Sequence, residues 1–243
     1  MLEDEQDVQK VLYWEKLGLA KRKVFSVKSG DLLSGYYSED VREFLRDNAV
    51  VFLKSREKGF SARVAAKRLC VRDPELEAVV KKHCASESDL LLSELMQIKH
   101  DSMGKKESRH FIRNNQILNS SRPIRSLSHS VPLTLRREAE KIVSYIAQCV
   151  DFPGNYVLDL ALVEKDGVVT TDIVEFNPIG TSMCYVNNSI FTEEWDGVRS
   201  DQKKVTYGFE YQLDMLDDPQ RYKVHRNSGE KFGYLSVEEY EFL

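Results

Sequence analysis

The sequence has few of the residues that build redox or zinc sites. Its four cysteines are far apart, and their spacing matches neither a paired zinc-ligand motif nor a CxxC redox motif. They are Cys70, Cys84, Cys149 and Cys184. The five histidines also lack ligand-like spacing. We therefore expect reduced cysteines and no zinc.

Long apolar runs are absent as well. No run approaches the roughly 20 residues that a membrane-spanning helix needs. The chain starts with an acidic segment at residues 3–5, which is unlike the start of a secretory signal peptide. These absences predict a cytoplasmic protein with no membrane partner.

Neither sign of charge dominates the composition. The chain has 35 Lys and Arg residues against 39 Asp and Glu residues, which gives a formal charge of -4. Nucleic acid is therefore not an expected partner. A polynucleotide-modifying enzyme is the less favoured alternative, because a helix can simply place its arginines in solvent. The arginines in question are Arg122, Arg125, Arg136 and Arg137.

Two common catalytic signatures are missing. The phosphate-binding pattern GxxxxGK[ST] does not occur, which argues against a P-loop nucleoside triphosphatase. No convincing Ser-His-Asp or Cys-His arrangement is present either, so the sequence offers no protein nucleophile. Any chemistry must depend on other groups.

What the chain does contain is a pattern of short strands and helices. It is 42% hydrophobic and 30% charged over 243 residues, enough for one large domain or two packed lobes. Periodicity predicts an α+β fold. The predicted helices cover the segment up to residue 19 and residues 40–47, 62–69, 73–83 and 133–150. The predicted strands cover residues 24–27, 50–53 and 89–92, and the last two are expected to share a sheet. Two hairpins are predicted at residues 108–118 and 156–176.

The second hairpin carries three oxygen-bearing side chains. Asp159 precedes the Asp-Gly turn at residues 166–167, and Glu175 and Asn177 follow it two residues apart on one strand face. Asp159 lies seven residues before Asp166 and Glu175 eight residues after Gly167, so a bulge or register slip is needed to bring them opposite one another. Two carboxylates and an amide suit Mg²⁺. The spacing alone equally allows carboxylates on a solvated sheet face.

A basic loop follows the strand at residues 50–53. Lys54, Arg56 and Lys58 lie beside Gly59, where backbone and cations together can approach a polyphosphate. An ordinary exposed turn is the alternative, because Lys and Arg cluster on surfaces.

Five segments together resemble the ATP-grasp superfamily, in particular its compact phage and bacterial members and the related assembly factors of a eukaryotic translation initiation factor. They are VVFLK at 50–54, LLLSELM at 90–96, ESRHFI at 107–112, YVLD at 156–159 and VEFNP at 174–178. The resemblance implies two α+β lobes that hold the nucleotide between antiparallel sheets. It divides the chain into an N-terminal extension, residues 1–49, an ATP-grasp core, residues 50–190, and a C-terminal segment, residues 191–243, packed on the core.

The resemblance also implies roles for individual residues. ATP is the implied cofactor, with Mg²⁺ held by Asp159, Glu175 and Asn177. Lys54 and Lys58 are the implied phosphate ligands, and Glu94 with Met96 borders the adenine and ribose. Arg109 and Arg122 are the implied catalytic cations that face the transferring phosphoryl group or an acidic substrate. The loop at residues 180–185 resembles one that closes the family's active site.

Two activities follow from this resemblance. One is an ATP-dependent carboxylate–amine ligase that forms an acylphosphate and a C–N bond, acting on a carboxylate-bearing small molecule or protein. The other is an ATP-binding assembly factor or chaperone that supports a protein partner with little or no ligase activity. The glycine-rich loop is reduced to residues 58–61, and little chain precedes residue 50 for a substrate domain, so the sequence leaves both activities and the substrate open.

Overall fold

The computed structural model describes residues 10–56, 60–102, 104–122, 131–148, 151–178 and 238–243. The chain forms two compact units. One consists of residues 1–19 and 97–234, and the other of residues 20–96 and 235–243. Both units combine helices with largely antiparallel sheets, which confirms the predicted α+β class. The three-part division at residues 49 and 190 stays a prediction.

The unit formed by residues 20–96 and 235–243 contains a five-stranded sheet in the order β1-β4-β2-β3-β11. Its strands are β1 (Val24–Lys28), β2 (Val50–Ser55), β3 (Phe60–Ala65), β4 (Asp89–Glu94) and β11 (Glu238–Phe242). Its helices are α1 (Ser29–Ser34), α2 (Glu39–Asp47), α3 (Ala66–Leu69) and α4 (Pro74–His83). β2 and β4 pair antiparallel, so the predicted sharing of one sheet is confirmed.

The predicted helix over residues 62–69 is wrong in its first half. Phe60, Ala62 and Val64 are buried at alternate positions, which is the two-residue period of a strand. This stretch pairs antiparallel with β2, and the helix α3 begins only at Ala66. The alanines favour a helix locally, but pairing with a buried neighbouring strand outweighs that preference.

The core of this unit lies on one face of the five-stranded sheet. Leu53, Leu90 and Leu92 of the central strands are fully buried there, together with Phe44 of α2 and Val80 of α4. Alternation along β2 places Lys54 on the opposite face, where the side chains are only partly buried. The sheet therefore separates the apolar core from the face that carries Lys54.

The last strand of the chain completes the sheet. β11 runs parallel to β3 at its edge. Tyr240 packs edge-on against Phe60, and its hydroxyl lies 3.2 Å from Nε2 of His83. Arg63 and Glu241 form an exposed ion pair at 3.1 Å. Aromatic packing rather than the ion pair holds the strand, because exposed ion pairs contribute little.

The unit formed by residues 1–19 and 97–234 contains a four-stranded antiparallel sheet in the order β10-β9-β7-β8. Its strands are β7 (Glu107–Arg113), β8 (Gln116–Ser121), β9 (Tyr156–Lys165) and β10 (Val168–Asn177), and a small hairpin of β5 (His100–Asp101) and β6 (Gly104–Lys105) precedes them. Both predicted hairpins are confirmed. Asn114 and Asn115 have the positive φ of 50° and 58° expected of an Asn-rich turn.

Among the described residues, one helix packs against this sheet. The helix α5 (Leu133–Ile146) contacts β7, β8, β9 and β10. Its buried stripe follows the predicted spacing, and the helix ends a little before the predicted residue 150. His110 lies in the packed layer, where its ring nitrogens are each 2.8 Å from the hydroxyls of Ser108 and Ser120. Burial, assisted by the charge of Arg136, lowers the pKa of His110 to about 3. His110 is therefore a neutral structural residue.

In the described part of the predicted N-terminal helix, residues 10–12 are helical, and a short 3-10 helix, Trp14–Leu17, follows them. Trp14 is buried, and its ring stacks on Phe176 with centroids 5.9 Å apart. It thereby braces β10 next to Glu175 and Asn177. No described helix is both long enough and apolar enough to span a bilayer.

The turn between β9 and β10 depends on a left-handed glycine. Gly167 has a φ of 75°, so Gly167→Ala is expected to destabilise the protein by about 1 kcal/mol. Gly154→Ala is the matched control, because a Cβ there meets its nearest atom at an ordinary 3.5 Å and needs no left-handed backbone. Urea unfolding measures both changes. An equal loss of unfolding free energy in the two variants would contradict the conclusion that the turn needs a left-handed glycine.

Candidate magnesium-nucleotide site

A one-residue bulge sets the register of the predicted metal residues. β10 pairs regularly with β9 as far as Ile173 opposite Leu160, and the next pair is Glu175 opposite Asp159. The extra residue, Val174, shifts the register, so Glu175 does not fall opposite Leu158. The expectation that a bulge brings Asp159 and Glu175 opposite one another is confirmed.

Strand alternation places the third residue on the same face. Asn177 is opposite Val157, which is two residues from Asp159 on β9. The amide Nδ2 of Asn177 donates a hydrogen bond of 3.1 Å to Oδ2 of Asp159. The structure therefore brings Asp159, Glu175 and Asn177 together at one end of the β9–β10 hairpin.

Arg109 joins this group from the neighbouring strand. It is opposite Asp159 in the β7–β9 pairing. Its Nε donates to Oδ1 of Asp159 at 2.7 Å, and its Nη2 donates to Oδ2 at 2.5 Å. Such a two-pronged contact is the strongest geometry for a guanidinium and a carboxylate. The structure thus places Arg109, predicted to face a phosphoryl group, directly on a predicted metal ligand.

One buried oxygen in the group lacks a donor. Asn177 is fully buried, and within the described part of the chain its Oδ1 accepts no hydrogen bond. A buried carbonyl oxygen of this kind costs about 1–3 kcal/mol unless a donor or a cation satisfies it. Since Asp159 lies beside it and Glu175 is near, the oxygen fits the ligand set of a hard cation.

The donor set suits a cation that takes only part of its shell from protein. Among the described residues, no three His, Cys, Asp or Glu side chains form a group that could hold a metal ion. The candidate set has two carboxylates and one amide. Mg²⁺ commonly binds through one or two carboxylates and keeps its other positions for water and phosphate oxygens. These residues fit Mg²⁺ in the presence of a phosphate better than a metal held by protein alone.

The other predicted site residues belong to other elements of the chain. Arg122 is buried and donates to Asp101 and to the backbone oxygens of Gly104 and Lys105, so it fastens the β5–β6 hairpin. Lys54, Glu94 and Met96 belong to the unit formed by residues 20–96 and 235–243. Lys58 and the loop at residues 180–185 lie outside the described residues.

Sequence reasoning missed Glu107. It is two residues before Arg109 on β7 and therefore on the same sheet face. Burial, with a smaller contribution from the charge of Asp159, raises the pKa of Glu107 to about 7, while the charge of Arg109 opposes the rise. The two-residue spacing between Glu107 and Arg109 could have identified Glu107 from the sequence.

The raised pKa makes stability depend on pH. Between pH 4.5 and about 7 the unfolded chain loses the Glu107 proton while the folded chain keeps it, so stability falls as pH rises. Glu107→Gln avoids this cost and is expected to be more stable than the wild type at pH 8 by about 1–3 kcal/mol. At pH 4.5 the two should be equal. Denaturant unfolding at both pH values checks this, and a difference independent of pH would contradict it.

Comparison with known proteins gives structural likenesses only. No protein-family model and no curated protein matches the sequence. A RimK domain ATP-grasp protein from Sphaerobacter thermophilus is 13% identical, with 71% of this chain and 58% of that chain covered and a TM-score of 0.43. D-alanine–D-alanine ligase from Bacillus anthracis, complexed with ATP, is 15% identical, with 91% and 66% covered and a TM-score of 0.45.

A third likeness is Cdc123 from Schizosaccharomyces pombe, which is 13% identical, with 82% of this chain and 94% of that chain covered and a TM-score of 0.42. The matches span less than two thirds of the RimK domain protein and of the D-alanine–D-alanine ligase. ATP-grasp ligases are among the solved structures similar to it, and ATP-grasp is the superfamily that its motifs resemble.

Proposed function

We propose that this protein binds Mg-ATP and uses it as an ATP-dependent carboxylate–amine ligase of ATP-grasp type. The observation that carries the proposal is the buried Oδ1 of Asn177, which accepts no hydrogen bond within the described residues and lies beside the carboxylate of Asp159. Glu175, opposite Asp159 across the bulge, supplies the third oxygen ligand.

The chemistry of the group favours a metal-nucleotide complex over a bare metal. Asp159 and Asn177 are buried, and desolvated oxygens bind a cation more strongly than solvated ones. Two carboxylates neutralise a divalent cation and leave ligand positions open to phosphate oxygens. When bound, Mg-ATP supplies a phosphoryl group that can activate a carboxylate as an acylphosphate.

Cationic residues are needed for the phosphates. Arg109 is on the same sheet face as the metal residues, and its planar guanidinium suits phosphate as well as carboxylate. Lys54, on the partly buried face of the five-stranded sheet, is proposed as a second phosphate ligand from the motif resemblance, as is Lys58. Together these charges offset the negative charge that develops during phosphoryl transfer.

The remaining roles are proposed on the resemblance. Glu94 and Met96 border the adenine and ribose, and Arg122 assists recognition of the acidic substrate. The contacts of Arg122 with Gly104 and Lys105 favour an indirect role, in which it positions the β5–β6 hairpin. No protein nucleophile is required, because the substrate carboxylate attacks the phosphoryl group and an amine then displaces phosphate.

Removal of the oxygen ligands tests the nucleotide site. Glu175→Gln and Asn177→Leu are each expected to weaken Mg-ATP binding at least about tenfold, and about 1.4 kcal/mol corresponds to that factor. Glu175→Gln removes a negative charge from the ligands of the cation, and Asn177→Leu removes a ligand oxygen. Glu164→Gln is the matched control, since it removes a carboxylate from the same hairpin at a partly exposed position paired with Lys99. Isothermal titration calorimetry with Mg-ATP measures all three.

The same titrations can overturn the proposal. Folded wild-type protein that shows no Mg-ATP binding would sink it, as would unchanged affinity in both site variants. ADP release is then measured with a panel of carboxylates and amines. An amide product with ADP would establish the ligase, whereas binding without turnover on any pair would favour the assembly-factor alternative.

A further inference from the structure

The strand β1 (Val24–Lys28) forms one edge of the five-stranded sheet. Among the described residues, β4 alone pairs with it, in an antiparallel register. In such a pair, successive residues of a strand direct their N–H and C=O groups alternately toward the partner and away from it. One side of β1 is therefore bonded to β4, and its other side faces outward from the sheet.

The backbone bonds at the two ends of β1 identify the residues that face outward. The carbonyl oxygen of Lys23 accepts a hydrogen bond from the N–H of Glu94. At the other end, the N–H of Ser29 donates to the carbonyl oxygen of Ser88. The odd-numbered residues between Lys23 and Ser29 therefore bond to β4. The even-numbered residues face outward, and they are Val24, Ser26 and Lys28.

Most of the outward backbone groups have no partner in the part of the chain that the structure describes. The carbonyl of Lys28 is the N-cap acceptor of α1. The N–H of Lys28 and both backbone groups of Val24 and of Ser26 take part in no described backbone bond. Ser26 and Lys28 are exposed. A row of open groups on an exposed edge can pair with an extended segment of another chain.

Basic residues flank this edge. Lys21, Arg22 and Lys23 precede β1, and Lys28 ends it. Lys21 and Lys23 are exposed, and the Lys28 side chain keeps 45% of its surface exposed although it lies 3.2 Å from Asp89. Charged side chains at an edge disfavour pairing with apolar strands, whereas opposite charges on neighbouring strands attract one another. The edge therefore favours an acidic strand.

A second copy of this chain matches the edge poorly. Pairing of two β1 strands would bring the same four cations, those at residues 21–23 and 28, together from both chains. Like charges on neighbouring strands destabilise the pairing. A segment with carboxylates satisfies the backbone groups and the cations at the same time.

We propose that β1 binds an extended acidic segment of a partner protein, which joins the five-stranded sheet as a further strand. Backbone bonds to Val24, Ser26 and Lys28 give the segment its register. Carboxylates near its ends face the cations at residues 21–23 and 28. This interaction surface goes beyond the proposed function, because it needs neither Mg-ATP nor the residues around Asp159.

A designed peptide tests the backbone pairing. The probe is the fluorescent peptide Glu-Glu-Val-Thr-Val-Glu-Glu with blocked ends, whose acidic ends allow it to bind in either direction, and fluorescence anisotropy measures its binding to the full chain. Val24→Pro removes an outward N–H at the first residue of a strand, where proline is tolerated. It is expected to weaken binding about tenfold.

Val24→Ala is the matched control, because it shortens the same side chain and keeps the N–H. It should bind the peptide as the wild type does. No binding to the folded wild type would overturn the inference. An equal loss in the two Val24 variants would also overturn it, because the side chain and not the backbone would then be responsible.

The same assay tests the role of charge. Lys23→Glu is expected to weaken binding of the acidic peptide at least about threefold, because it turns an attraction into a repulsion. Lys67→Glu is the matched control, since it reverses an exposed lysine of α3 in the same unit. A peptide with Lys in place of Glu should not bind the wild type. Equal affinity for the basic and the acidic peptide would contradict the proposed partner.

Hydrogen exchange of the wild-type protein, followed by nuclear magnetic resonance, does not depend on the folding of a variant. The amides of Val24, Ser26 and Lys28 are expected to exchange rapidly in the free protein and slowly with the peptide bound. The amides of Phe25 and Val27 should be protected in both states, because they bond to β4. Peptide binding without new protection of the outward amides would overturn the inference. Their protection in the free protein as its concentration rises would also overturn it, because a second copy would then occupy the edge.

Discussion

The site depends on one irregularity, the bulge at Val174. An unbroken ladder would place Glu175 opposite Leu158 and turn its side chain to the α5 side of the sheet, because a one-residue slip reverses strand faces. The bulge instead lets β10 keep apolar Ile173 and Phe176 in the core while Glu175 and Asn177 join Asp159. One strand thereby contributes apolar side chains to the core and oxygen-bearing side chains to the cluster around Asp159.

Burial gives this cluster its chemical character. A carboxylate as enclosed as Asp159 needs donors or a cation, and the sheet supplies Arg109 and Asn177 as donors. The same enclosure disfavours ionisation of Glu107. The group is thus a set of opposite charges close together in a poorly solvated part of the sheet.

Local patterns were enough for much of this structure. The Asp-Gly and Asn-Asn turns predicted both hairpins, and the three- and four-residue spacing predicted α5. Residues 62–65 were misassigned because their pairing with β2, a neighbour that the local sequence does not reveal, decides their conformation. Asp159, Glu175 and Asn177 could be predicted to come together, since their spacing needed only a bulge. The contact between Arg109 and Asp159 could not be predicted, because it depends on the register between β7 and β9, which are 50 residues apart at this pair.

The parallel pairing of β11 with β3 has a consequence for how the chain folds. Arg63 and Glu241 are 178 residues apart in sequence, and the intervening chain includes nearly all of the other unit. Neither unit is a continuous stretch of sequence. The two segments of each unit are therefore synthesised at different times. Such long-range closure carries a large entropic cost and slows folding. We therefore expect this sheet to lack its fifth strand, with the edge of β3 open to other strands, until β11 has been synthesised.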